Sequence, residues 1–233
     1  MKDWRLIYII FAKSEDKLYI SNKNRQAYFV LLLVCIIFVR INLKNCNVMF
    51  DKETYVQRRA LLKKNIGSGV LLFLGNDEQG LNYEDNAFRY RQDSTFLYYF
   101  GLSFAGLSAI IDIDEDKEII FGDELTIDHI VWMGTQPTLK EKSERVGIRE
   151  TLPSVAIISY LHKAVQKGQT VHYLPPYRPE HKLKLMDWLG IPPARQEGSV
   201  PFIRAVVAQR NYKSAEEIAE IEKACDVTAD MHI

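Results

Sequence analysis

The chain has 233 residues, of which 47% are hydrophobic and 26% charged, with 30 basic and 30 acidic side chains. This composition is typical of a globular protein and excludes a wholly disordered chain, a collagen-like repeat and a membrane protein with several spans. The balanced charge argues against a nucleic-acid-binding protein, in which a basic surplus is expected. Three cysteines form neither a disulfide framework nor a metal quartet, so a cytoplasmic location is the default expectation.

The first 48 residues differ from the rest of the chain. They carry eight basic and three acidic side chains, and all 12 Gly and 8 Pro lie after them. The apolar stretch 27–39 lies between basic residues. It is shorter than the roughly 20 residues that a membrane-spanning helix needs.

Three interpretations of residues 1–48 stay open. The segment is translated upstream DNA with the true start at Met49, a membrane-associating anchor or imperfect signal sequence, or a packed helix. The first interpretation leaves the protein cytoplasmic. The second makes it membrane-associated through residues 27–39.

Helical and strand patterns alternate after Met49. Residues 51–66 predict a helix in which Tyr55 and Leu62 share an apolar side while Arg58 and Arg59 lie on the remaining surface. The apolar run 70–74 predicts a strand covered on both faces. Further predictions are a polar loop over 76–86, a hairpin over 107–121, helices over 137–146, 154–166 and 179–189, and a strand over 170–174.

The helix over 154–166 is predicted from an apolar side formed by Val155, Ile158, Leu161 and Val165, with Ser154 as its N-cap. Together, the interleaved elements predict an α/β fold with a mixed β-sheet flanked by helices.

The stretch 88–102 is rich in aromatic residues. Phe96, Tyr98 and Phe100 alternate along it with the period of a strand. Two interpretations follow. The first is a core strand in which Arg91 pairs with a local carboxylate, and the second is one wall of a peptide groove, because Tyr and Arg are enriched at contact hot spots. The candidate groove residues are Tyr90, Arg91, Asp93, Tyr98 and Tyr99.

A further helix begins near the end of the chain. Ser214 and Glu217 form a capping box, and Ile218, Ile221 and Cys225 then share one helical side. The sequence ends while this helix is still continuing, which predicts the start of a truncated second domain.

Residue chemistry alone identifies no catalytic or metal site. The five histidines match no zinc motif. The acidic run 112–116 lacks the glycine and the later glutamate of an EF-hand, so it predicts a solvated turn.

Three stretches carry a family resemblance. Residues 90–101 (YRQDSTFLYYFG), 131–134 (VWMG) and 212–218 (YKSAEEI) resemble the N-terminal domain of Xaa-Pro aminopeptidase (aminopeptidase P), in the creatinase/prolidase-like pita-bread metallopeptidase family. The helix predicted around Arg58 and Arg59 is similar to the first helix of that domain. The resemblance implies a mixed sheet with helices on both faces.

The resemblance also implies where the chemistry lies. In the complete family protein a C-terminal domain holds two divalent metal ions, usually manganese, which activate the water that cleaves the bond before proline. No residue of this chain corresponds to a metal ligand or a catalytic group. The chain is therefore expected to be inactive alone, as a fragment of a parent that acts on proline-containing peptides.

The remaining implications concern the role of the domain. In this family it narrows access to the active site and makes subunit contacts, so a homo-oligomer is expected and nucleic acid is not. Trp132, Tyr90, Arg91 and Asp93 are the candidates for substrate or subunit contact. The alternative is a stand-alone peptide- or histone-binding module. The expected divisions are an extension over 1–48, the N-terminal domain over 49–211, and over 212–233 a linker with the first helix of the catalytic domain.

Overall fold

The computed structural model describes residues 49–83 and 86–232. The strands are β1 (Val70–Leu74), β2 (Ser108–Asp112), β3 (Lys117–Phe121), β4 (Glu150–Leu152) and β5 (Val171–Tyr173). The helices are α1 (Lys52–Ile66), α2 (Ser94–Phe100), α3 (Ile127–Met133), α4 (Leu139–Glu144), α5 (Ala156–Gln166), α6 (Pro179–Leu189), α7 (Val200–Arg210) and α8 (Ala215–His232), with a 3-10 turn at Pro193–Arg195. The predictions for residues 1–48, including the apolar stretch 27–39, lie outside the described residues.

The strands form one mixed sheet in the order β4-β3-β2-β1-β5. The three central strands are antiparallel, which confirms the predicted hairpin between β2 and β3. The outer strands pair in parallel, β5 with β1 and β4 with β3. The parallel neighbours β3 and β4 are joined by a crossover that contains α3 and α4, and the chain then crosses from β4 through α5 to β5 at the opposite edge.

Alternate residues of each central strand pack into two separate cores. Leu71 and Phe73 of β1 face one core, and Val70 and Leu72 face the other, because successive side chains of a strand point to opposite faces. Helices α1, α2, α4 and α7 cover the first face, and α5 and α6 cover the second. This arrangement confirms the predicted α/β fold with helices on both faces of a mixed sheet.

The strand predicted within residues 88–102 is wrong, because Ser94–Phe100 form helix α2. Asp93 accepts hydrogen bonds from the amides of Thr95 and Phe96 and so caps the helix. Phe96, Tyr99 and Phe100, at spacings of three and four, are all fully buried. A run in which almost every residue is apolar fits the period of a strand and that of a helix equally well. The N-cap at Asp93 favours the helix.

The predicted apolar side of α5 is also partly wrong. Val155 and Val165 are exposed, and the buried side is formed by Ile157, Leu161 and Ala164. Ser154 does not cap the helix, because its hydroxyl donates to Asp123, 2.5 Å away. The helix therefore begins at Ala156, two residues after the predicted cap.

Helices α1, α4 and α6 confirm the sequence predictions, whereas α3, β4 and α7 have no predicted counterpart. Strand β4 is only three residues long, so it carries too little alternation to be recognised. None of the helices formed by the described residues is long and apolar enough to cross a membrane.

Candidate functional site

Two adjacent arginines of α1 are buried, although the sequence pattern placed them on its polar surface. Arg59 has no exposed side-chain surface. It donates to the Glu118 carboxylate at 2.7 Å and to the main-chain oxygens of Tyr99 and Val146, each at 2.9 Å. Burial lowers the pKa of the Arg59 guanidinium, and the neighbouring Glu118 carboxylate opposes that shift.

Arg58 lies beside Arg59 but faces a different set of groups. Its guanidinium carbon is 3.9 Å from the centre of the Tyr98 ring, 4.8 Å from that of Phe50 and 5.8 Å from that of Tyr55. Cations are attracted to aromatic faces at such distances. Arg58 thus occupies a partly aromatic surround at the junction of α1, α2 and the segment before α1.

The signature segment before α2 forms a polar network inside the domain. The Tyr90 hydroxyl donates to the main-chain oxygens of Asn76 and Phe104, at 3.2 and 2.9 Å. Gln92 accepts from the amide of Asn76 and donates to the oxygen of Leu102. These bonds hold the loop after β1 against the segment that enters β2. Burial raises the pKa of the Tyr90 phenol well above its ordinary value, so Tyr90 stays a neutral donor even at alkaline pH where an exposed tyrosine ionises.

A cleft of about 750 Å³ lies beside this network, between α1, α2 and α8. Tyr90, Arg91 and Tyr98 line it, together with Arg58 and Glu217. Asp93 instead lines a second cavity of about 250 Å³ with His181 and Tyr173. The structure therefore brings two of the four predicted contact residues together in one cleft.

The other two candidates have different surroundings. Asp93 uses its carboxylate as the α2 cap, so its role in this structure is to stabilise the start of that helix. Trp132 projects from α3 with 87% of its surface exposed. Leu125, Ile127 and Val131 are exposed close to it in sequence, so α3 presents an apolar surface.

Arg91 does not behave as the core-strand interpretation predicted. Its side chain is exposed, and no carboxylate of a described residue forms an ion pair with it. Its main-chain oxygen accepts from the Asn76 side chain at 2.8 Å. The Arg91 side chain itself lines the cleft.

The described residues contain no group of three or more His, Cys, Asp or Glu side chains that could hold a metal ion. His181 is buried, and its Nε2 lies 3.1 Å from the main-chain oxygen of Gly75. Burial lowers the pKa of His181. The described residues as a group therefore do not fit the metal centre that the family resemblance implies for the complete protein.

Sequence reasoning missed Arg58, which lines the cleft, and the burial of Arg59 beside it. No local signal marks either arginine, because adjacent helical positions are about 100° apart and both fit on the polar side of a helix. Glu217 was recognised only as a capping residue. In the structure its Oε2 also lies 3.5 Å from Nη2 of Arg58.

Comparison with known families rests on the same segments. Residues 55–173, just over half of the chain, match the model of the aminopeptidase P N-terminal domain. The chain belongs to this family. The match includes α1 from Tyr55 onward, the signature segment and the whole five-stranded sheet, and so contains both arginines and the Tyr90 network.

Relatives of the aminopeptidase P N-terminal domain family include longer proteins. A probable Xaa-Pro aminopeptidase of Chaetomium globosum is 29% identical over 168 residues, which are 70% of this chain and 27% of the relative. The human Xaa-Pro dipeptidase is 33% identical over 90 residues, which are 37% of this chain and 18% of the relative. The chain thus spans about a quarter or less of these two proteins.

Solved structures share the fold. Pseudomonas aeruginosa aminopeptidase PepP superposes with a TM-score of 0.66 at 23% identity, over 80% of this chain and 44% of that one. A variant of Escherichia coli aminopeptidase P superposes with a TM-score of 0.64 at 21% identity, over 78% and 44%. The names of these relatives give no support to a stand-alone peptide- or histone-binding module.

Proposed function

We propose that residues 49–211 are the non-catalytic N-terminal domain of a Xaa-Pro aminopeptidase, whose complete form removes an N-terminal residue that precedes proline. The family match over residues 55–173 carries this proposal. The complete protein would hold divalent metal ions, with manganese expected, on residues other than those described. The helix α8 that follows Asn211 would begin the catalytic domain.

We propose further that the domain makes subunit contacts and limits access of proline-containing peptides to the active site. The apolar surface of α3 supports the first part. Trp132 and Val131 are 87% and 75% exposed, and aromatic residues of this kind are enriched in subunit interfaces. Tyr90 and Arg91 are proposed as contact residues of the cleft, because both line it.

Catalysis by the chain alone is the first test. Purified protein of 233 residues is incubated with an Xaa-Pro peptide and Mn²⁺, and release of the first residue is followed. No release above a no-enzyme control is expected. Manganese-dependent turnover would show that the chain contains its own catalytic site.

Self-association is the second test. Sedimentation equilibrium over a range of concentrations compares the wild-type protein, Trp132→Ala and the control Tyr212→Ala, which replaces another exposed aromatic residue. The wild-type and Tyr212→Ala proteins are expected to associate, and Trp132→Ala to associate more weakly. A wild-type protein that stays monomeric, or equal association of all three, would contradict the subunit contact.

A further inference from the structure

The surroundings of Arg58 explain how α8 is attached to the domain. One guanidinium nitrogen of Arg58, Nη1, donates to the main-chain oxygen of Tyr98 at 2.9 Å. The side chain keeps only 8% of its surface exposed. Arg58 is therefore fixed by α2 on one side, and its charge is largely withdrawn from water.

The other terminal nitrogen, Nη2, is buried and makes no hydrogen bond with any described residue. The charge facing it is the Glu217 carboxylate, whose Oε2 lies 3.5 Å away. A buried cation without a nearby anion is costly. Glu217 therefore stabilises Arg58 by its charge rather than by a hydrogen bond.

Glu217 has a second role at the start of α8. Its carboxylate accepts from the amide of Ser214 at 3.1 Å, and its amide donates to the Ser214 hydroxyl at 3.3 Å. These reciprocal bonds form a capping box. The Glu217 carboxylate thus caps the N-terminus of α8 and also faces the buried guanidinium of Arg58 on α1.

Apolar burial does not explain the position of α8, because none of its described residues is buried. The preceding helix α7 is attached differently. Gln209 accepts from the Tyr99 hydroxyl at 2.7 Å and donates to the main-chain oxygen of Arg58 at 2.9 Å. The anchored part of the chain therefore ends near Gln209, and α8 begins only after a short connection at Asn211–Ser214.

We propose that Arg58 is a positioning residue that sets the direction of α8 relative to the sheet through the charge of Glu217. The capping box with Ser214 defines the N-terminus of α8 but does not set the direction of the helix. The aromatic rings of Tyr98 and Phe50 hold the guanidinium in place, so that α8 is aligned on a fixed cation. This role goes beyond the proposed peptidase function and holds for the chain whatever its parent catalyses.

Spin-label distances measure the direction of α8 without any activity assay. Cys225 on α8 is exposed and carries one label. The exposed Lys163 of α5, replaced by Cys, carries the other. Cys35 and Cys46 are replaced by Ser so that only these two positions are labelled. Thermal melting of each protein shows that its core is folded.

Three variants separate the charge from the cap. Glu217→Gln keeps a side chain that can complete the capping box but removes the charge. Ser214→Ala removes the hydroxyl from the box and keeps the charge. Glu220→Gln, one turn further along, is the matched control, because Glu220 pairs with Lys223 of the same helix.

Glu217→Gln is expected to shift and broaden the distance distribution. Ser214→Ala and Glu220→Gln should keep the wild-type maximum. An unchanged distribution in Glu217→Gln would overturn the proposal. A shift in Ser214→Ala as large as that in Glu217→Gln would do the same, because the cap would then direct the helix.

Discussion

The Nε atom of Arg59 lies 2.7 Å from Oε2 of Glu118, and this contact joins α1 to strand β3. The same guanidinium donates to the main-chain oxygens of Tyr99 and Val146. One side chain of α1 therefore binds three segments that are distant in sequence. Its planar arrangement of donors suits this task, whereas the single ammonium of lysine does not.

Arg59→Ala is expected to destabilise the domain by about 3–5 kcal/mol, because it leaves two buried carbonyl oxygens without a donor and opens a cavity. Urea unfolding followed by tryptophan fluorescence measures the loss. Lys64→Ala, at an exposed position of the same helix, should change stability by less than about 0.5 kcal/mol.

If Arg59→Ala does not fold, Glu118→Gln provides a less disruptive test of the same contact. The variant leaves both carbonyl contacts of Arg59 in place, so a loss of about 1–2 kcal/mol is expected. Wild-type stability in both Arg59→Ala and Glu118→Gln would mean that the buried guanidinium does not hold the segments together.

Asp93→Ala is expected to cost about 1 kcal/mol, because α2 loses its N-cap. Asp93→Asn retains an acceptor and should remain close to wild type. Equilibrium unfolding in urea distinguishes the two. Equal losses in both variants would show that the charge of Asp93, rather than its capping bond, is what matters.

Gly101 and Gly190 have nearly the same backbone conformation, with φ values of 63° and 66°, but different surroundings. A Cβ on Gly101 would lie 2.4 Å from Cζ of Tyr55, whereas nothing lies within 4 Å of a Cβ on Gly190. Gly190→Ala should therefore cost only the left-handed backbone strain, about 1 kcal/mol. Gly101→Ala should cost about 2–4 kcal/mol, since the buried Tyr55 ring must move. Similar melting temperatures for the two variants would contradict this difference.

Stability is expected to fall as the pH decreases from about 7.5 to 5.5, in part through His181. Burial lowers the pKa of His181 in the folded protein, so the unfolded chain binds the proton more readily. The free energy of unfolding therefore decreases as pH falls through the unfolded value of about 6.5 and levels off below the folded pKa. His181→Gln should show a smaller decrease between these pH values in urea titrations. An identical decrease would assign the pH dependence to other groups, among them His172, whose pKa burial also lowers.

The sequence predicts elements with one clear period and a clear end. Helix α6 was predicted over 179–189 and spans those residues in the structure, because Pro179 and Gly190 mark its limits. The paired central strands β2 and β3 were found for a similar reason, since the polar turn between them is short.

The failures have physical causes. The run before Gly101 is apolar at almost every position, so its period is ambiguous until the cap at Asp93 is considered. The burial of Arg59 depends on acceptors at Tyr99, Glu118 and Val146. Because these acceptors belong to three separate segments, no local pattern reveals them. The cleft beside Arg58 was missed for the same reason.

Both outer strands of the sheet, β4 and β5, are only three residues long. An edge strand presents unpaired backbone groups to which another chain can add, and short edges limit this addition. Each five-residue strand has a described neighbour on both sides, and the outer strands pair with three of the five residues of β1 and of β3. The short strands at both edges of the sheet therefore protect the domain against intermolecular strand pairing.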